Sequence, residues 1–138
     1  MNPLPRIVLW ISALTLLVFG SAFLFAPLGT LALAAIELEG GLAATEIRAY
    51  YGGLQCGLGL AVAWCALRRG RWKDGLALTA LIFGAVGLAR LFGMVVEGAL
   101  TLYLVFALVV ELAVAGAALW ALFGLMGRAD SSEAGTRS

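Results

Sequence analysis

The sequence predicts an all-α membrane protein, a polytopic bundle of four spanning helices, and three observations carry that prediction. Of its 138 residues 63% are hydrophobic and 12% charged, whereas an average soluble domain is about half apolar and about a quarter charged. Apolar runs long enough to cross a bilayer recur four times, given that about 20 helical residues cover a hydrocarbon core of about 30 Å. Lysine and arginine gather in one linker and near the chain ends. The net charge of +1 supplies no long-range field for nucleic acid, which is not expected as a partner. There is no histidine, and Asn2 is the single asparagine. Imidazole-ligated haem, histidine zinc sites, Ser-His-Asp triads and histidine proton shuttles are therefore excluded, and no cofactor or metal is expected.

The first span is Ile7 to Phe25, closed by Pro27 and Gly29. Its run of 19 residues is longer than a secretory h-region of about 7 to 15, and no small-x-small cleavage site follows, so it reads as a retained helix. A cleaved signal peptide is the alternative, which N-terminal sequencing decides. The connection over residues 28–44 is half apolar. Leu31, Ala35 and Leu38 fall at i, i+4 and i+7, which suits a short helix on the outer interface with Glu37 and Glu39 toward water, or else a lid loop. The second span covers about 47–67, the third about 75–96 and the fourth about 100–126, so residues 1–127 form one transmembrane domain. Residues 128–138, rich in Ser, Gly and charge, read as a disordered cytoplasmic tail.

Orientation follows from the cations, because basic loops resist translocation. Arg68, Arg69, Arg71 and Lys73 stand against Asp74 in the link between the second and third spans. Arg6, Arg128 and Arg137 mark the ends. The expectation is N-in and C-in, with Phe25 to Thr45 and the Glu97-Gly98-Ala99 turn facing outward.

Ionisable groups at bilayer depth cost about 2.5 to 3.5 kcal/mol each even on mild insertion scales, so each asks for a partner or a role. Arg90 and Glu111 stand out. Arg90 lies about 12 Å below the Gly98 turn and Glu111 about 20 Å below it, at 1.5 Å per residue. Helical side chains lean toward their own N-terminus, so on antiparallel neighbours the two heads converge. The pair either locks register or forms part of a ligand site; Arg90 snorkelling to Glu97 is a third reading.

On the second span Thr45 suits an N-cap and Glu46 the positive dipole end. At 100° per residue Arg48, Tyr51, Gly52, Gln55 and Gly59 share one face, a polar stripe that descends into the bundle. Gly53 with Gly57, Gly84 with Gly87, and Ala113 with Ala117 supply small surfaces for close helix packing, within one chain or across a homodimer. Cys56 and Cys65, about 13 Å apart along one helix, cannot pair with each other. Trp10, Trp64, Trp72 and Trp120 fit an interfacial belt.

The run Glu46-Ile47-Arg48-Ala49-Tyr50-Tyr51-Gly52-Gly53-Leu54, then Gly57-Leu58-Gly59, Gly87-Leu88-Ala89-Arg90-Leu91-Phe92-Gly93 and Glu97-Gly98, resembles the small bacterial membrane proteins grouped as DUF4345, over roughly residues 5–126. The resemblance implies a four-helix membrane bundle, with an acid closing the third span at Glu97 and another inside the fourth at Glu111. It implies no activity. Small multidrug transporters need an acid in the first span, which Ile7 to Phe25 lacks; membrane glutathione enzymes lean on intramembrane asparagine, also missing.

The expected function is binding of a small amphiphile, or support of a partner, at one polar spot in the outer half. Arg48, Tyr51, Gln55, Arg90, Glu97 and Glu111 form that spot, in a multi-pass protein of the bacterial inner membrane. The alternatives are proton-coupled transport by Glu111 and, with the weakest basis, a membrane enzyme using Glu111 or a tyrosine as acid or base.

Overall fold

The computed structural model describes the backbone of residues 3–135 and the side chains of residues 3–127, and among these the regular structure is helical throughout. In chain order the helices are α1 (Leu4–Phe25), α2 (Pro27–Ala32), α3 (Gly41–Ile47), a π-helical segment Arg48–Gly53, α4 (Leu54–Leu67), a 3-10 turn Arg69–Arg71, α5 (Trp72–Glu97) and α6 (Leu102–Gly135). Three stretches are long and apolar enough to cross a membrane: Leu4–Phe25, Arg69–Glu97 and Leu102–Gly127. The second expected span is continuously helical over 41–67, but it is divided by the π turn into pieces of which the longest, α4, has 14 residues.

α1 begins three residues ahead of the expected Ile7 and ends where expected. Pro27 has no N–H to continue the helix and instead opens α2 at its first position. The Thr30 hydroxyl bridges that break, 2.7 Å from the Ala26 carbonyl and 3.1 Å from that of Ala22. The expected helix carrying Leu31, Ala35 and Leu38 on one face does not form. α2 stops after six residues, and Ala35 just beyond it adopts φ +57°. Ile36 N–H then reaches the Leu31 carbonyl at 3.2 Å and Ala35 N–H that of Ala32 at 3.0 Å, closing the helix by a Schellman motif.

The Thr45 cap is also corrected. The helix starts five residues earlier, after Gly40 at φ +96°, and Thr45 lies inside it, its hydroxyl donating to the Gly41 carbonyl at 2.8 Å. A mid-helix threonine commonly bonds back in this way. By contrast Thr101, just before α6, does cap: it accepts the Leu104 N–H at 3.3 Å. α5 ends at Gly98 in the left-handed conformation, φ +62°. α6 runs on to Gly135. Residues 136–138 lie outside the described residues.

The chain divides into two compact units. One holds the start of α1 together with everything from Cys65 onward. In it α5 and α6 pack as an antiparallel hairpin, with Leu76, Thr79, Phe83, Ala115 and Ala118 buried. The other is Trp10–Trp64, in which the rest of α1 packs on the helical run over 41–64, with Ala13, Leu16 and Val62 buried.

Close approach in both units depends on glycine. A Cβ on Gly52 would lie 2.9 Å from the Leu24 backbone N and Cα, and one on Gly59 2.8 Å from Leu17 Cγ. A Cβ on Gly75 would lie 2.6 Å from that of Cys65, and one on Gly87 3.1 Å from Leu112 Cδ2. Of the small residues expected to serve, Gly87 does so and the others do not. Gly57 has open space, Gly53 meets only its own helix at 3.7 Å, and Gly84 meets Ala115 at 4.0 Å. Ala113 is exposed and Ala117 half-buried, while Ala115, Ala118 and Ala121 are buried.

Candidate functional site

Arg90 sits on α5 and Glu111 on α6, and the two helices are joined by residues 98–101 alone. Arg90 Nε donates to Glu111 Oε2 at 2.9 Å and Nη2 to Oε1 at 2.6 Å. This is the two-pronged geometry in which a planar guanidinium matches a carboxylate. The side chains keep 23% and 12% of their surface open, so the pair is mostly removed from solvent but not sealed. Gly87, one turn before Arg90, brings α6 close: a Cβ there would stand 3.4 Å from that of Glu111. The convergence expected from the lean of helical side chains is what the hairpin shows, and Arg90 does not snorkel to Glu97. Glu97 is the exposed last residue of α5.

The polar stripe on the helical run 41–67 turns toward α1. Arg48 Nε donates to the Leu24 carbonyl at 3.2 Å, one of the last four carbonyls of α1, which lack a partner in their own helix. The Tyr51 ring lies 5.3 Å from that of Phe23, tilted by 49°. A Cβ on Gly20 would stand 3.1 Å from the Gln55 Cβ, and the buried Gln55 Oε1 has no hydrogen-bond partner. The sequence placed Arg48, Tyr51, Gly52, Gln55 and Gly59 on one face, and in this unit every one of them meets α1. What the sequence left unseen is the use of that face, which supports α1 at its C-terminal end. Thr79, fully buried on α5 with its hydroxyl unpartnered, was missed, since a single threonine in an apolar run gives no signal.

Chemically, the hairpin offers a cation and an acid already neutralising each other in an apolar setting. The stripe offers a carbonyl clamp, an aromatic pair and one unfilled amide acceptor. Cys56 and Cys65 are free thiols. Together these features define a small all-helical protein with helices fit for a membrane and a charged pair inside its hairpin. A family model described as a domain of unknown function, DUF4345, matches residues 4–122, and the chain belongs to that family. No curated protein and no solved structure matches it.

Proposed function

We propose that the chain is a four-span protein of the bacterial inner membrane with both termini cytoplasmic. In this reading the Arg90–Glu111 pair receives the acidic head of a small amphiphile. The run over 41–67 supplies the remaining span, for it is unbroken helix and apolar from Leu54 to Leu67. The basic turn between α4 and α5 sets the orientation.

The observation that carries the binding reading is the two-pronged pair with part of its surface open, 23% on Arg90. An incoming carboxylate or phosphate is the same kind of acceptor as Glu111, so it exchanges with that side chain on a guanidinium already desolvated and oriented. A proton-carrying Glu111 needs a water path to both faces, and Glu111 is the one charged side chain of α6 between Leu102 and Gly127, so binding is the reading taken.

The test is native mass spectrometry of the protein purified from its membrane, wild type against Arg90→Leu/Glu111→Leu. Removing both charges together avoids stranding one, which is the damaging change for a buried pair. An acidic amphiphile retained by the wild type and lost from the double variant is expected. Identical spectra overturn the binding role. Proton-coupled flux in liposomes that Glu111→Gln abolishes overturns it in favour of transport.

A further inference from the structure

Four of the nine Lys and Arg residues fall between Arg68 and Lys73, and the backbone there is firmly held. Arg71 N–H reaches the Arg68 carbonyl at 2.8 Å and Arg68 N–H that of Cys65 at 3.2 Å. The Trp72 indole folds back to donate to the Ala66 carbonyl at 3.2 Å. Arg69, Arg71 and Lys73 are exposed, and among the described residues no side chain pairs with them. Asp74 is the one acid near them in sequence.

The start of α1 belongs to the same end of this unit. Gly75 admits Leu9 and Cys65 so closely that a Cβ would stand 2.8 Å from Leu9 Cδ2 and 2.6 Å from the Cys65 Cβ. One turn before Leu9 lies Arg6, also exposed. Flanking Arg6, Leu4 and Pro5 line an apolar groove of about 360 Å³ whose far wall includes Trp120 and Phe123 of α6. Both aromatic rings are largely exposed, 70% and 63%.

Exposed cations on a held backbone, at the end of the unit where Leu9 meets Gly75 and where Leu4 and Pro5 beside Arg6 line an aromatic-walled groove, match the two chemistries of one molecule, an anionic head on an acyl chain. We infer that this end of the protein binds an anionic phospholipid. Its head lies against Arg6, Arg69, Arg71 and Lys73, and its chain runs into the groove. The inference rests on the membrane reading above but not on the Arg90 site, which lies about 27 Å farther along α5 at 1.5 Å per residue.

The full chain, delipidated in detergent, is titrated with dihexanoyl phosphatidylglycerol, dihexanoyl phosphatidylcholine and sodium phosphate, followed by native mass spectrometry. Each cation near an anionic surface strengthens binding about fivefold. Wild type therefore prefers the glycerol lipid by about tenfold or more, a preference that weakens as salt rises. The R69Q/R71Q/K73Q variant, its helicity checked by circular dichroism, loses the preference. Trp120→Ala weakens both lipids.

Equal affinity for the two lipids, or an unchanged R69Q/R71Q/K73Q variant, overturns the inference. So does sodium phosphate binding as tightly as the lipid, which marks an inorganic anion site instead. Should R69Q/R71Q/K73Q fail to fold, the salt dependence of the wild type decides alone. Extraction of the chain from its native membranes by alkaline carbonate sinks the membrane reading itself, whereas a retained chain without lipid preference sinks only this site.

Discussion

At Ala35 the backbone takes φ +57°, a conformation that costs a residue with a Cβ about 1–2 kcal/mol. It does so at the position of a Schellman motif where glycine is usual. Ala35→Gly is expected to stabilise the protein by about 0.5–1 kcal/mol, because the greater freedom of glycine in the unfolded chain offsets part of the relief. A thermal melt in detergent checks it; an unchanged or lower midpoint refutes the strain argument. The charged pair makes a second prediction at this scale. Glu111→Leu alone leaves a cation without its acid and costs about 3–5 kcal/mol, whereas Arg90→Leu/Glu111→Leu comes close to wild type. A double-variant loss equal to the sum of the Arg90→Leu and Glu111→Leu losses would show that the two residues act independently.

Helix α1 and the run over 41–67 are held by contacts that a helical wheel only half describes. The polar stripe from Arg48 to Gly59 is legible at ordinary helical spacing, and it does share one neighbour. The wheel puts Gly52 and Gly59 on that stripe, yet close packing was expected of Gly53 and Gly57, because small-x-x-x-small spacing does not say which face meets a neighbour. Gly52 meets the Leu24 backbone, which cannot swing aside as a side chain can. Gly52→Ala is thus expected to destabilise by about 1–3 kcal/mol through overpacking. Gly57→Ala, with nothing within 4 Å of its added methyl, should be neutral or gain up to about 1 kcal/mol of helix propensity. The same melts separate them, and equal effects of the two substitutions would disprove the packing assignment.

Across the whole molecule, burial is sparse. The buried share of the apolar window falls from 33% in α1 to 11% in α6, and side chains such as Val18, Leu81, Phe92, Phe106 and Phe123 stand open. Water does not tolerate so continuous an apolar exterior, whereas acyl chains do. If 41–67 spans together with the three longer helices, impermeant maleimide on intact cells has a clear expected pattern in a background with Cys56 and Cys65 replaced by alanine. Glu39→Cys and Ala99→Cys are labelled from outside; Gly70→Cys is labelled only after lysis. Protection of Glu39→Cys alongside Gly70→Cys would show that the 41–67 run does not cross.

The helical class, the three long apolar helices and the meeting of Arg90 with Glu111 were all within reach of the sequence. Each depends on local quantities: composition, the length of an apolar run, the rise per residue and the lean of side chains on two helices joined by a short turn. Tertiary structure alone decided the π turn, the left-handed Ala35, the start of α3 at Gly41 and the set of glycines that admit a neighbour. These turn on which backbone comes within about 3 Å of which other, a long-range outcome of packing that no spacing within a single helix encodes.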